Sequence, residues 1–331
     1  MLEEFSAAIG LALWSSMRDV TLWAVGREPE ERVGLFQPGA HEERLRLLDQ
    51  AGIDAAIDSP LRILARISAD PAAMTEEELL AACRDVSSWA EAQEKLSTAI
   101  AFAQAGALAA PANAAAGLRV GHLARRNAIK IAMTRGNAAS QENARAESWF
   151  RRVIGLGRQA KDWASYSEAF LGLGDLYRER GNFPAARRFY VRALRAAKRH
   201  GLRDIQGRAL HELFVIARET TGPGEALEFA RSSFRAYGPT HPRLPTLACD
   251  LAAYWMGRGR FAQALAVFQA LAPHLTTPGE RMLNAGHIAR AAGGAGNRAE
   301  FDRAWDEVWA SAAEWHKDLH AAPALLDSAY G

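Results

Sequence analysis

The sequence predicts an all-α protein built from repeated pairs of helices, and three observations support this. A short pattern of small and aromatic residues recurs at helical spacing along most of the 331 residues. The 13 prolines fall mainly near the turns that this pattern implies, where they interrupt or begin helices. No stretch alternates Val, Ile and Thr with polar residues as strands do.

The clearest copy of the pattern lies between residues 173 and 194. It reads Leu173-Gly174-Asp175-Leu176-Tyr177-x-x-x-Gly181-Asn182-Phe183-x-x-Ala186-x-x-x-Tyr190-x-x-Ala193-Leu194. Gly174 and Ala186 are small where two helices would cross closely, Tyr190 would fill the space around that crossing, and Gly181 provides the turn. The pattern resembles the tetratricopeptide repeat, a helix-turn-helix unit of about 34 residues.

Residues 1–74 lack the repeat pattern, and we predict that they form an N-terminal helical cap. Within them, residues 2–25 are expected to form a buried helix that packs Trp14 and Trp23 against helices near 41–67. The Gly-, Pro- and charge-rich segment 26–40 reads as a connecting loop. The apolar stretch that opens the chain is too short to span a bilayer, and the first residues are acidic, which argues against a secretory signal.

Residues 75–315 carry the repeat in weaker copies that keep the same phase. In chain order the positions that keep it are Ala99, Ala103, Gly106 and Pro111; Leu118, Gly121 and Ala124; Ala146, Phe150 and Val153; Ala226, Ala230 and Phe234; Ala252, Trp255, Gly259, Phe261, Ala264 and Phe268; and Gly296, Asn297, Phe301 and Trp305. The resemblance therefore implies a right-handed, tetratricopeptide-like α-solenoid of about six units. Residues 316–331 are expected to add a C-terminal capping helix.

One unit is longer than the others. From Gly121 the usual spacing predicts a second-helix alanine at position 133, but the matching pair is Ala146 and Phe150. About 13 extra residues near 129–141 therefore interrupt this unit, as an exposed loop or as lengthened helices. A neutral insertion and a functional one both remain open.

Charge is segregated along the chain although the net charge is only +2. Residues 1–114 carry 9 Lys or Arg against 18 Asp or Glu, residues 115–210 carry 20 against 7, and residues 211–331 carry 11 against 13. A basic middle segment would attract an acidic partner.

The two cysteines, Cys83 and Cys249, have apolar neighbours and indicate no disulfide framework, so we expect a reducing, cytoplasmic environment.

Two surfaces are candidate binding sites. On the second helices, which lie on the convex side of tetratricopeptide solenoids, we predict a basic ridge of Arg151, Arg152, Arg158, Arg188, Arg192, Arg195 and Arg199. On the first helices, which line the concave groove, the candidates are Arg119, His122, Arg125, Arg126, Glu168, Leu171, Asp175, Arg178, His211 and Arg218. In this groove Arg125, Arg126 and Arg178 are expected to face Glu168 and Asp175 across adjacent units. The ridge is either a solvated face or a patch for phosphate, nucleic acid or an acidic protein. The mixed groove suits a peptide.

Motifs for catalysis and for metal or cofactor binding are few and incomplete. We therefore predict that the protein is not an enzyme and holds no cofactor. His316 and His320 stand four residues apart with Asp318 between them, but no third metal ligand is identifiable. The glycines at 293–296 follow a helix and not a strand, so they read as a repeat turn and not as a phosphate loop. No zinc-finger, RNA-recognition-sheet or KH signature is present.

These observations predict a non-catalytic adaptor or regulatory scaffold that binds a protein or peptide, with an acidic partner favoured by the basic middle. The Lys and Asn set with which some relatives clamp a terminal carboxylate is not reproduced, so binding of a chaperone tail is not expected. Peptide-sensing bacterial regulators share the repeat, but no DNA-binding half accompanies it here. Two alternatives stay open: a nucleic-acid-associated module that uses residues 115–210, and a structural subunit that self-assembles through its acidic head and basic middle.

Overall fold

The computed structural model describes residues 3–135, 139–220 and 223–315, and no residue in these ranges is in a β-strand. The all-α prediction is confirmed. The helices are α1 (Ala7–Val25), α2 (Pro29–Val33), α3 (Ala40–Ala51), α4 (Ala55–Ala65), α5 (Glu76–Ala92), α6 (Leu96–Ala109), α7 (Ala114–Arg135), α8 (Ser140–Ala160), α9 (Trp163–Glu179), α10 (Phe183–Arg199), α11 (Arg203–Thr220), α12 (Pro223–Tyr237), α13 (Leu244–Met256), α14 (Phe261–Leu271), α15 (Pro278–Gly294) and α16 (Arg298–Trp315). The chain divides into two compact units, Met1–Ile205 and Gln206–Gly331.

The first unit begins with α1, which packs against α3, α4 and α6. Its buried face includes Leu13, Val20 and Trp23, and the Trp23 indole nitrogen donates a hydrogen bond to the Pro71 carbonyl oxygen at 2.8 Å. The expectation that Trp14 is packed in the core is wrong, because its side chain is 42% exposed. It follows Leu13 directly, so it lies about 100° further round the helix and points away from the packed face.

The N-terminal helices are attached to the first repeat pair, α5 and α6. The carboxylate of Glu4 accepts hydrogen bonds from the backbone N–H groups of Ser97 and Thr98, at 3.1 and 2.9 Å, and so caps the start of α6. The ring of Phe5 stacks on Trp89 of α5 with 5.3 Å between centroids. The segment expected to be a loop, 26–40, contains the short helix α2.

The pair α9 and α10 shows how the repeat pattern produces packing. Gly174 of α9 lies directly against the ring of Tyr190 of α10, so the two helices approach closely there. The turn between them uses Gly181, whose φ of +71° is strained for residues with a Cβ. Asn182 then caps α10 by accepting a hydrogen bond from the Ala185 N–H at 3.1 Å.

The weaker copies use the same devices. A Cβ atom at Gly106 of α6 would lie 3.0 Å from Cβ of Cys83 in α5, and one at Gly121 of α7 would lie 2.6 Å from the Phe150 ring of α8. In the second unit Gly207 of α11 lies against the Tyr237 ring of α12. Consecutive helix pairs built on small residues are therefore present in both units.

The long unit has long helices. Helices α7 and α8 contain 22 and 21 residues, against 17 each for α9 and α10. Most of the extra residues near 129–141 extend these two helices, while residues 136–138 fall outside the described ranges. The expected C-terminal helix at 316–331 and the His316 and His320 pair also lie outside them. Among the described helices, none is both long enough and apolar enough to cross a membrane.

Candidate binding surfaces

The first helices of the Met1–Ile205 unit are joined by ion pairs across neighbouring repeats. Arg119 of α7 donates to Glu91 of α5 at 3.0 Å and to the hydroxyl of Ser87 at 3.2 Å. Arg126, two turns further along α7, donates to the second carboxylate oxygen of Glu91 at 2.9 Å. One carboxylate therefore holds two arginines of the predicted groove.

A second network joins α7 to α9. Arg125 donates to Asp175 at 2.8 Å and to Glu179 at 3.0 Å, which confirms the expected contact between Arg125 and Asp175 across adjacent units. Asp175 also accepts from the Tyr190 hydroxyl at 2.8 Å. Burial raises the pKa of the Glu179 carboxyl above its usual range, although Arg125 opposes this. These charges are largely neutralised within the protein.

A cleft of about 530 Å³ lies beside the Glu91 network. Among the residues that line it are Glu91, Arg119, His122, Arg125, Arg126, Leu118 and Ile129. Four predicted groove residues therefore line one cleft. Its lining combines apolar side chains with charged ones of both signs, and the Ile129 side chain remains 38% exposed.

In the Gln206–Gly331 unit the predicted residues His211 and Arg218 meet on a carboxylate that the sequence did not single out. The His211 ring nitrogen lies 2.7 Å from one oxygen of Asp250, and Arg218 donates to the other at 3.1 Å. Burial alone would raise the pKa of Asp250, but His211 and Arg218 outweigh it and the pKa lies below its usual range. Asp250 lies on α13, the first helix of the next pair. This place on a first helix was the only feature of the sequence that could have suggested it as a site residue.

Several groove candidates are not placed as expected. Leu171 is 1% exposed and belongs to the core, because it lies on the face of α9 that packs inside the repeat. His211 and Asp175 are also buried, and they take part in the ion pairs with Asp250 and Arg125. Arg178 donates to the Tyr190 hydroxyl at 3.3 Å, within its own repeat. Glu168 is half-buried on α9.

The ridge candidates on α8 and α10 are all exposed. Arg151 pairs with Glu147 at 2.7 Å, and Arg152 lies over the Trp149 ring at 5.0 Å. The four arginines of α10 differ from those of the first helices. Within the part of the chain that the structure describes, none of them has a carboxylate within 4.0 Å; they are Arg188, Arg192, Arg195 and Arg199.

Three of these arginines line a pocket of about 420 Å³ between α9 and α10, which we call the Trp163 pocket. Its lining residues are Trp163, Tyr166, Phe170, Arg192, Arg195, Ala196, Arg199 and His200. The Trp163 and His200 rings are parallel, with 4.3 Å between centroids and 8° between planes. The Tyr166 ring meets Trp163 edge-on at 5.7 Å.

The aromatic half of this pocket was absent from the sequence-based candidates. Trp163, Tyr166 and Phe170 stand at i, i+3 and i+7, a spacing that places them on one face of α9, and this was the available signal. His200 could be added only once the crossing of α9 and α10 was known.

Neither cysteine has the lowered pKa that a nucleophilic thiol needs. Burial raises the pKa of Cys83 to about 12, and burial together with Asp250 raises that of Cys249. Among the described residues no three His, Cys, Asp or Glu side chains are grouped so that they could hold a metal ion.

Comparison with known proteins shows the fold. No family model and no curated protein matches the sequence. Among solved structures, PilF of Pseudomonas aeruginosa superposes with a TM-score of 0.51 at 13% identity, over 69% of this chain and 90% of that one. Two structures of monomeric IFIT1 mutants with capped RNA, Gppp-AAAA and m7Gppp-AAAA, have TM-scores of 0.41 at 14% identity, over 85% and 89% of this chain and 63% and 61% of theirs. The chain thus has a tetratricopeptide-type all-α fold.

Proposed function

We propose that the protein is a non-catalytic scaffold that binds a protein segment in the cleft lined by Glu91, Arg119, Arg126, Leu118 and Ile129. The observation that carries this proposal is that apolar and charged side chains meet in one open cleft on the first helices. Such a surface matches an extended or helical peptide, which buries apolar side chains and directs charged ones to the rim.

The charged side chains of the cleft can still recognise charge although their ion pairs are internal. The Arg126 side chain is 52% exposed and uses one nitrogen for Glu91, so other N–H groups of its guanidinium face solvent. A carboxylate of the partner would accept hydrogen bonds from these N–H groups while an apolar neighbour packs on Ile129. The favoured partner is therefore a segment that combines acidic and apolar residues.

The proposal includes a reducing compartment such as the cytoplasm. The two cysteines support this, because both are free thiols, one of them fully buried. A disulfide would have argued for an oxidising compartment.

The test is selection of binding peptides from a random library, followed by affinity measurements on variants. Arg126→Glu and Ile129→Asp should each weaken the selected peptides at least about tenfold, since each removes one of the two contacts that the cleft offers. Arg84→Glu is the matched control, because Arg84 is an exposed arginine of α5 that pairs with Asp85 and lies outside the cleft. Failure to select any peptide, or peptides that ignore both cleft variants, would refute the proposal.

A further inference from the structure

We propose that the Trp163 pocket binds a nucleotide unit, with the phosphate on Arg192, Arg195 and Arg199 and the base against the Trp163 and His200 rings. This goes beyond the peptide cleft and does not depend on it, since the two sites share no residue. The nucleotide can be free or part of a single strand, because a free nucleotide offers one phosphate monoester, a strand offers neighbouring phosphodiesters, and both offer a base.

The charge of the pocket argues for an anion. Arg192, Arg195 and Arg199 follow one another at i, i+3 and i+7 on α10, all exposed, and none has a carboxylate partner in the described ranges. On the first helices, Arg119, Arg125 and Arg126 are each already paired with a carboxylate. Guanidinium groups crowded together without partners raise the local positive potential, which a bound anion lowers.

The number of guanidinium groups argues for phosphate. A carboxylate offers two oxygens and a single charge, so it pairs with one arginine bidentately or, as Glu91 does, with two arginines through one oxygen each. A phosphate monoester carries close to two charges on three oxygens, so it can accept hydrogen bonds from three guanidinium groups. The three arginines of one helix face fit the second case.

The aromatic wall argues for a planar ring on the same ligand. Trp163 and His200 already form a parallel stack, and a stack of flat rings can be extended by another flat ring. Tyr166 meets Trp163 edge-on, and the Arg192 guanidinium carbon lies 5.9 Å from the Phe170 ring centre, so positive charge and aromatic surface adjoin. Single-stranded nucleic acids are commonly held by this combination of stacking and arginine contacts.

The first experiment measures the affinities of the wild-type protein for inorganic phosphate, for AMP and for a single-stranded octanucleotide of adenosine. AMP should bind at least about tenfold more tightly than phosphate, because stacking adds to the phosphate contact. An octanucleotide that binds much more tightly than AMP identifies a strand as the source, and equal affinities identify a free nucleotide. Absence of AMP and octanucleotide binding would overturn the proposal.

The second experiment locates the site with two matched triple variants. Replacing Arg192, Arg195 and Arg199 by Gln should reduce AMP affinity at least about tenfold. Replacing Arg152, Arg158 and Arg188 by Gln removes the same charge from the same ridge outside the pocket, and should reduce affinity less than about threefold. Equal losses of AMP affinity in the two variants would mean that the general positive charge of the ridge attracts AMP and that the pocket does not bind it.

The third experiment separates the aromatic contact from the charge. Trp163→Ala should bring AMP affinity down to that of inorganic phosphate and leave phosphate affinity unchanged. Circular-dichroism melting of each variant confirms that it is folded. An acidic peptide that competes as well as AMP for the wild-type pocket would also overturn the proposal, because it would show that the site selects charge alone.

Discussion

The ring of Tyr190 occupies the space that a side chain at position 174 would need, and its hydroxyl donates to the neighbouring Asp175 at 2.8 Å. The same side chain therefore fills the closest crossing of α9 and α10 and fixes the carboxylate that Arg125 of α7 reaches at 2.8 Å. Packing within one repeat and pairing with the preceding repeat depend on one tyrosine.

Gly174→Leu should destabilise the protein by about 1–3 kcal/mol or more, because the new side chain cannot avoid the Tyr190 ring without separating the two helices. The measurement is thermal unfolding followed by circular dichroism. Gly155→Ala is the control: a Cβ atom there meets nothing within 4 Å, and alanine in a helix interior should leave stability unchanged or raise it by up to about 1 kcal/mol. A Gly174→Leu protein with an unchanged melting midpoint would contradict the close crossing of α9 and α10 at Gly174.

The two N-terminal tryptophans should respond differently to truncation. Trp23→Ala should cost about 3–5 kcal/mol, because it empties a fully buried site and leaves the Pro71 carbonyl without its indole donor. Trp14→Ala should cost less than about 1 kcal/mol, because Trp14 is largely outside the core. Urea denaturation of both variants gives the comparison, and equal losses would show that Trp14 packs as tightly as Trp23.

Asp250 should make part of the stability acid-sensitive. Its pKa in the folded protein lies below the ordinary value of 3.8, so the folded state holds its proton less tightly than the unfolded state does. Its stabilisation is therefore fully present above that ordinary value and is lost as the pH falls through the lower, folded value. The gap in unfolding free energy between wild type and Asp250→Asn should therefore shrink as the pH falls below about 4. A gap that stays constant down to pH 2 would contradict this assignment.

Salt should separate the two proposed sites. Peptide binding in the cleft should weaken only modestly, by less than about threefold between 50 and 200 mM salt, because its arginines are already paired. Oligonucleotide binding at three phosphate-contacting arginines should weaken about twentyfold over the same range, since counterion release scales with the number of contacts. Titrations at several salt concentrations test this, and a flat response for the oligonucleotide would exclude the arginine contacts.

The sequence predicted the features that depend on nearby residues and missed those that depend on packing. Gly174 and Tyr190 are 16 positions apart within one repeat, so their pattern revealed the helix pair. Trp14 was misplaced because α1 carries apolar residues around most of its circumference and its sequence does not mark a buried face.

The Trp163 pocket illustrates the second case. Trp163 and His200 lie at the start of α9 and just after the end of α10, and only the crossing of the two helices brings their rings together. The same holds for Glu91, which gathers Arg119 and Arg126 from another helix. Charge and periodicity identified the arginines but not their carboxylate partners.

The turn that leads into the pocket has a consequence for engineering thermostability. Between α8 and α9 the residue in the left-handed region is Lys161, at φ +57°, where the equivalent position after α9 is Gly181. A lysine held in this conformation costs about 1 kcal/mol relative to glycine. Lys161→Gly should therefore raise the melting temperature. Removal of a side chain would then stabilise this protein, and it would leave both proposed binding surfaces intact.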